Sequence, residues 1–178
     1  MKTLKILLIY LVLAAAAAIP SFAEMSGQLG VGYGREFREN VDLSQYEFFY
    51  RYPLRYKTTL ADYWQVSTDL EFVGALLREA GSGNDGTGRF SIMPQVVVSP
   101  HKMVNFIFGF GTGYMAGRTH FSDNDLGGHF LFNGKVGVQL VLGEHWGLEY
   151  DYYHQSNAGI YDRNDGLNMH QLAFSYSF

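Results

Sequence analysis

The 178-residue chain contains no cysteine. That excludes a disulfide framework, a thiolate metal site and a thiol nucleophile, and it is compatible with an exported destination. Positive charge is also scarce, with 13 Lys and Arg against 17 Asp and Glu. An acidic balance of this kind argues against nucleic acid as a partner. Long apolar runs are missing as well. The one candidate is Ile6 to Ala18, too short for a membrane-spanning helix, which needs about 20 residues. Four of the six histidines (His101, His120, His129 and His145) show no spacing suited to metal ligation.

That short run has its own explanation. Lys2 and Lys5 precede it, Pro20 follows it, and Ser21-Phe22-Ala23 offers small residues where a signal peptidase cuts. Residues 1–23 are therefore expected to be a cleaved signal peptide. The mature chain then begins at Glu24, carries 11 basic and 17 acidic residues for a net charge of −6, and has the size of one domain.

What is plentiful is aromatic residues (16%) and glycine (21 residues), yet mean hydropathy is close to zero. The apolar residues are spread thinly and alternate with polar ones. In Trp64 to Phe72, Gln65, Ser67, Asp69 and Glu71 share one face. In Val104 to Tyr114, Phe106, Phe108, Phe110 and Tyr114 oppose Asn105 and a row of glycines. Phe132, Val136, Val138 and Leu140 oppose Asn133, Lys135 and Gln139, and Trp146, Leu148, Tyr150 and Tyr152 oppose Glu149 and Asp151. Period two is the mark of strands with unlike faces. Carboxylates alternating with aromatics suit a barrel whose outside meets lipid and whose inside is polar. Closure follows because hydrocarbon offers no partner to a strand edge.

The expected fold is all-β, an eight-stranded antiparallel transmembrane barrel over residues 24–178. Strands are expected near 26–36, 43–54, 61–73, 89–98, 104–115, 129–141, 146–156 and 168–178. Short connections near 56–59, 99–102 and 142–145 alternate with longer ones near 37–42, 74–88, 116–128 and 157–167, which places short turns and both termini in the periplasm. Eight strands leave an interior filled by side chains, so a general porin is disfavoured. Glu149 and Asp151 are expected in a structural polar network. The last strand alternates Leu172, Phe174, Tyr176 and Phe178 with smaller or polar residues. A terminal phenylalanine on such a strand resembles the signal read by the outer-membrane assembly machinery.

One group breaks the apolar outer face. Even positions of the seventh strand continue to His154 and Ser156, and those of the eighth include Asn168 and His170. These four polar side chains lie at the outer ends of a hairpin. His154 and Ser156 are separated by about 6.6 Å of strand rise at roughly 3.3 Å per residue, close enough to bend into the hydrogen bond by which histidine activates a serine. The plain alternative is that interfacial polar residues simply meet lipid headgroups.

His154-Gln-Ser156-Asn157-Ala158-Gly159-Ile160, followed by Asn164-Asp165-Gly166-Leu167, resembles the signature of the PagL-type lipid A 3-O-deacylases. The specific resemblance covers Tyr152 to Tyr176. It implies an outer-membrane serine esterase that removes the 3-O-linked acyl chain of lipid A. Ser156 is then the nucleophile, His154 the general base and later the acid, and Asn157 with the backbone near Ala158 and Gly159 the oxyanion donors. No metal or cofactor is implied; lipopolysaccharide of the outer leaflet is the partner, and a homodimer is left open. The chain departs from the family pattern twelve residues after the serine, where Asn168 stands in place of a glutamate. An asparagine carbonyl can hold the imidazole in the useful tautomer but cannot balance an imidazolium. The enzyme is then slow, or Asp165 or Asp162 substitutes, or the barrel has become non-catalytic with a structural or surface-interaction role.

Overall fold

A computed structural model describes residues 26–38, 42–60, 63–81, 86–122 and 124–178. The expected signal peptide lies outside the described residues. Eight strands form the wall: β1 (Gln28–Glu36), β2 (Leu43–Leu60), β3 (Trp64–Glu79), β4 (Thr87–His101), β5 (Val104–Ala116), β6 (Phe130–Leu142), β7 (Trp146–Ser156) and β8 (Leu167–Ser177). Each strand pairs antiparallel with its sequence neighbours, and β8 returns to β1, so that Gln28 opposes Ser177 and Glu36 opposes Met169. The sheet is a closed up-and-down barrel. Every backbone edge in the wall is thereby paired, as hydrocarbon demands.

The expected faces hold along the last hairpin. Trp146, Leu148, Tyr150 and Tyr152 are exposed on the outside, while Gly147, Glu149, Asp151, Tyr153 and Gln155 are buried inside. Phe178 closes the seam, exchanging backbone hydrogen bonds with Gly27 at 3.0 and 3.2 Å and stacking on Tyr50.

Two strand ends differ from expectation. β2 runs through residues 56–59, expected as a turn, after a register irregularity between Pro53 and Lys57. Pro53 lacks the N–H that a regular ladder needs, which accounts for an irregularity there. β3 continues to Glu79 instead of ending near 73. Beyond Glu71 both of its faces become apolar, with Val73 and Leu77 inward, so the period-two contrast fades while pairing to β4 goes on to Leu77.

That apolar stretch reveals a second difference. Toward the long loops the lumen carries apolar side chains among its polar ones. In its middle, the Arg51 guanidinium grips Glu149 with two 2.6 Å bonds and Glu71 with a third, and Lys135 bridges the same carboxylates at 2.8 and 3.3 Å. Two cations and two anions from β2, β3, β6 and β7 thus brace opposite parts of the wall. Nearer those loops an apolar cluster of Leu43, Leu77, Met93, Met115, Leu131, Tyr153, Leu167 and Met169 shares the lumen with buried Gln45, Arg89, Asn133 and Gln155. Phe121 and Leu126, from a loop containing a two-residue ladder of His120–Phe121 with Asn124–Asp125, cap it from above.

Candidate active site on the lipid face

The β7–β8 register places His154 directly opposite Asn168, and Tyr152 opposite His170. Because both strands present even positions outward, the imidazole and the amide meet side by side on the outer wall. His154 Nδ1 lies 2.7 Å from Asn168 Oδ1. The Tyr152 hydroxyl donates to the same oxygen, also at 2.7 Å. An amide oxygen only accepts, so His154 must carry its proton on Nδ1. Nε2 is then left with a lone pair, the form a general base needs.

Ser156 continues the same face, opposite Phe132 of β6. Among the described residues it has no hydrogen bond to His154. Catalytic hydrogen bonds are often long before substrate binds and tighten with it. Both side chains are half-buried, beneath the loop that follows β7. Gly166 closes this side: a Cβ there would stand 3.3 Å from His154 Cε1 and 3.8 Å from Ser156 Cβ. Its φ of +66° is left-handed, a second reason for glycine.

The loop from Asn157 to Gly166 is stapled from within. Asn157 Nδ2 donates to the carbonyls of Leu126 (2.7 Å) and Arg163 (2.5 Å), its Oδ1 accepts from Gly159 N–H (2.7 Å), and its own N–H donates to Asn164 Oδ1 (2.8 Å). The Gly166 carbonyl accepts from Arg38 and Asn124. Both protons of the Asn157 side-chain amide are thus spent on loop carbonyls. The Gly159 N–H is spent too. The Ala158 N–H has no partner among the described residues. Ala158 itself is held at φ +53°, in the left-handed region that costs a non-glycine residue about 1–2 kcal/mol.

The alternative in which another acid substitutes for the glutamate concerns Asp165 and Asp162. Asp165 accepts the Asp125 N–H at 2.7 Å, and Asp162 is exposed on the loop. A carboxylate that does touch Asn168 is Glu36, which accepts its backbone N–H at 2.7 Å. Its side chain is buried on the inner face and paired with Arg38 at 3.0 Å, so it steadies Asn168 without reaching the imidazole. His170 forms a 2.6 Å bond with the Tyr150 hydroxyl and packs edge-on against Phe37.

The family model described as lipid A 3-O-deacylase (PagL) matches residues 44–177, which include the whole site. The chain belongs to that family. The lipid A deacylase PagL of Bordetella bronchiseptica is 37% identical over 60 residues, so the alignment spans about a third of that relative's length (34% of each chain). The crystal structure of the outer-membrane enzyme PagL superimposes with a TM-score of 0.71 at 17% identity, over 83% of this chain and 97% of that one. The Yersinia pestis outer-membrane protein Ail, in a phospholipid bilayer nanodisc, gives a TM-score of 0.52 at 15% identity, over 86% and 99%. At such identities the two structures share the fold. This member of the PagL family is an integral outer-membrane barrel.

Three parts of the site lie outside what spacing alone suggested. Tyr152 reads as a plain lipid-facing aromatic, yet its hydroxyl is part of the Asn168 contact. It stands two residues before His154 on the same face, and that parity was the available signal. Gly166 and the Asn157–Asn164 staple account for the Asn-Asp-Gly half of the motif. Arg38, Glu36 and Asn124 come from other segments and carried no local signal.

Proposed function

We propose that this chain is a serine esterase that hydrolyses the 3-O-linked acyl ester of lipid A in the outer leaflet. The observation that carries the reading is the His154–Asn168 hydrogen bond on the lipid face, which fixes Nε2 as the basic nitrogen two residues from Ser156. In the first step Ser156 Oγ attacks the ester carbonyl carbon while its proton passes to His154 Nε2. The carbonyl oxygen becomes an oxyanion, and the Ala158 N–H, supported by the Asn157 staple, is its donor. The intermediate then collapses. The bond between the carbonyl carbon and the sugar oxygen breaks, and His154 returns its proton to the departing sugar oxygen. Water next attacks the acyl-serine, giving its proton to His154, and the fatty acid leaves as Ser156 recovers its hydroxyl.

Asn168 sets the tautomer and orientation of His154 without supplying a negative charge. The enzyme is therefore working but slow. An outward site suits this substrate, because an ester of a membrane lipid can reach Ser156 by lateral diffusion without leaving the bilayer. Mass spectrometry of lipid A from cells expressing wild type and Ser156→Ala tests the reading. Loss of one hydroxyacyl mass with wild type, absent with Ser156→Ala, supports it. An unchanged lipid A profile with wild type and with Asn168→Glu overturns it.

A further inference from the structure

Several strand glycines of the barrel face inward, where a side chain would collide. A Cβ on Gly109 would come within 2.5 Å of Met93 Sδ, and one on Gly147 within 2.6 Å of Ser175 Oγ. Gly134 differs. It lies on the outer face of β6 between Phe132 and Val136, and a Cβ there would meet nothing within 4 Å. Nor does its backbone occupy the left-handed region. Neither crowding nor conformation requires glycine at this place. A glycine inside a strand forfeits side-chain packing and weakens the strand. Gly74, which also faces outward, has the Phe90 ring 3.9 Å from the corresponding position, so a neighbour covers it.

The surroundings of Gly134 suggest what the gap admits. Its register partners are His154 on β7 and Phe110 on β5. Phe132, one step toward the long loops, opposes Ser156 and stacks on Phe110 with centroids 6.1 Å apart and planes 9° apart. One step the other way, Val136 opposes Tyr152. The bare backbone is thus a one-residue notch in an aromatic wall, beside the imidazole and walled by carbon. Nothing on its borders away from His154 and Tyr152 would hydrogen-bond a sugar or a phosphate.

We infer that the Gly134 notch seats the acyl chain that is cleaved a few carbons beyond its carbonyl, with the chain lying against Phe110, Phe132 and Val136. This rests on the reading of Ser156 as an esterase nucleophile and names the feature that admits its substrate. Gly134 is accordingly a specificity-determining residue. Discrimination of one methylene in an apolar pocket amounts to about 10–200-fold in kcat/KM, so a side chain filling the notch penalises long acyl groups by at least about tenfold.

The test uses the full mature barrel in detergent micelles with two probes, p-nitrophenyl decanoate and p-nitrophenyl acetate. The acetyl group is too short to need the notch. Gly134→Leu puts an apolar side chain on a lipid-facing strand position and preserves the fold; Gly134→Ala adds a single carbon to open space. The expected result is a tenfold or greater fall in kcat/KM for decanoate with Gly134→Leu, a smaller one with Gly134→Ala, and acetate hydrolysis within twofold of wild type for both. Equal loss on both esters, or no loss on decanoate, overturns the notch while leaving the esterase reading intact. If wild type cleaves neither ester, or if Ser156→Ala cleaves both as wild type does, the esterase reading falls and the notch with it.

Discussion

Changing Asn168 to aspartate keeps the shape of the side chain and converts the acceptor 2.7 Å from His154 Nδ1 into a carboxylate. The tautomer is unchanged, since Nδ1–H still donates. What changes is the transition state, in which His154 becomes positive. Opposite unit charges about 4 Å apart attract by roughly 4 kcal/mol at an effective dielectric constant near 20. Each 1.36 kcal/mol or so is a factor of ten in rate, so the ceiling is about three powers of ten. Part of that is already present, because the amide dipole points the same oxygen at the same nitrogen. Part is lost to screening in a half-buried site at the membrane boundary. A gain of about 10- to 100-fold in kcat is the expected outcome, smaller than the roughly 10⁴-fold loss that the reverse change produces in the chymotrypsin-type triad. The Tyr152 hydroxyl, already donating to this oxygen, would steady the new charge. The assay is release of hydroxy fatty acid from purified lipid A by the purified barrel, followed by mass spectrometry over time. A folded Asn168→Asp protein that is no faster than wild type, or slower, would refute the assignment of Asn168 as the partner of the catalytic histidine.

Asn168→Leu removes the acceptor of both His154 and Tyr152 and should lower kcat about 100-fold, the low end of what general base catalysis contributes, measured in the same assay. Gly166→Val crowds His154 Cε1 and strains a left-handed backbone, so it should abolish turnover while folded barrel remains on a heat-modifiability gel. Asn157→Ala strands two loop carbonyls and the Gly159 N–H; the cost should be about 1–3 kcal/mol per buried group left unpaired, read as a fall in the urea midpoint. Arg51→Met leaves Glu71 and Glu149 with Lys135 as their common cation and should destabilise the barrel by about 3–5 kcal/mol, with no change in the His154 contact.

Much of this architecture is legible in the sequence because the two faces of the wall contrast so strongly. β5 to β8 lie within a residue or two of their expected bounds, since Phe106, Val136, Leu148 and Phe174 alternate cleanly with lumen residues. The contrast fails where apolar side chains enter the lumen. Leu77 belongs to the apolar cluster under the loops and Val73 to a second one with Phe49 and Ala173, and a strand with two apolar faces has no period to read. The meeting of His154 with Asn168 was implicit in their shared parity on neighbouring strands, but the register that makes them direct partners is set by pairing along the whole hairpin. The loop staple was less accessible still. Asn157 reaches the Leu126 carbonyl from thirty-one residues away, and Arg38 reaches Gly166 across the β1–β8 seam. Local spacing marks neither contact. An amide held by a distant carbonyl looks the same in sequence as a free one.

The central claim is that Ser156, activated by His154, is a nucleophile facing the lipid. Its most direct test is intact-mass analysis of the purified barrel after exposure to a long-chain alkyl fluorophosphonate, which captures activated serines covalently. The expected result is one adduct, mapped to Ser156, that disappears in Ser156→Ala and forms far more slowly in His154→Ala. An unlabelled wild-type barrel, or an adduct that persists in Ser156→Ala, would contradict it.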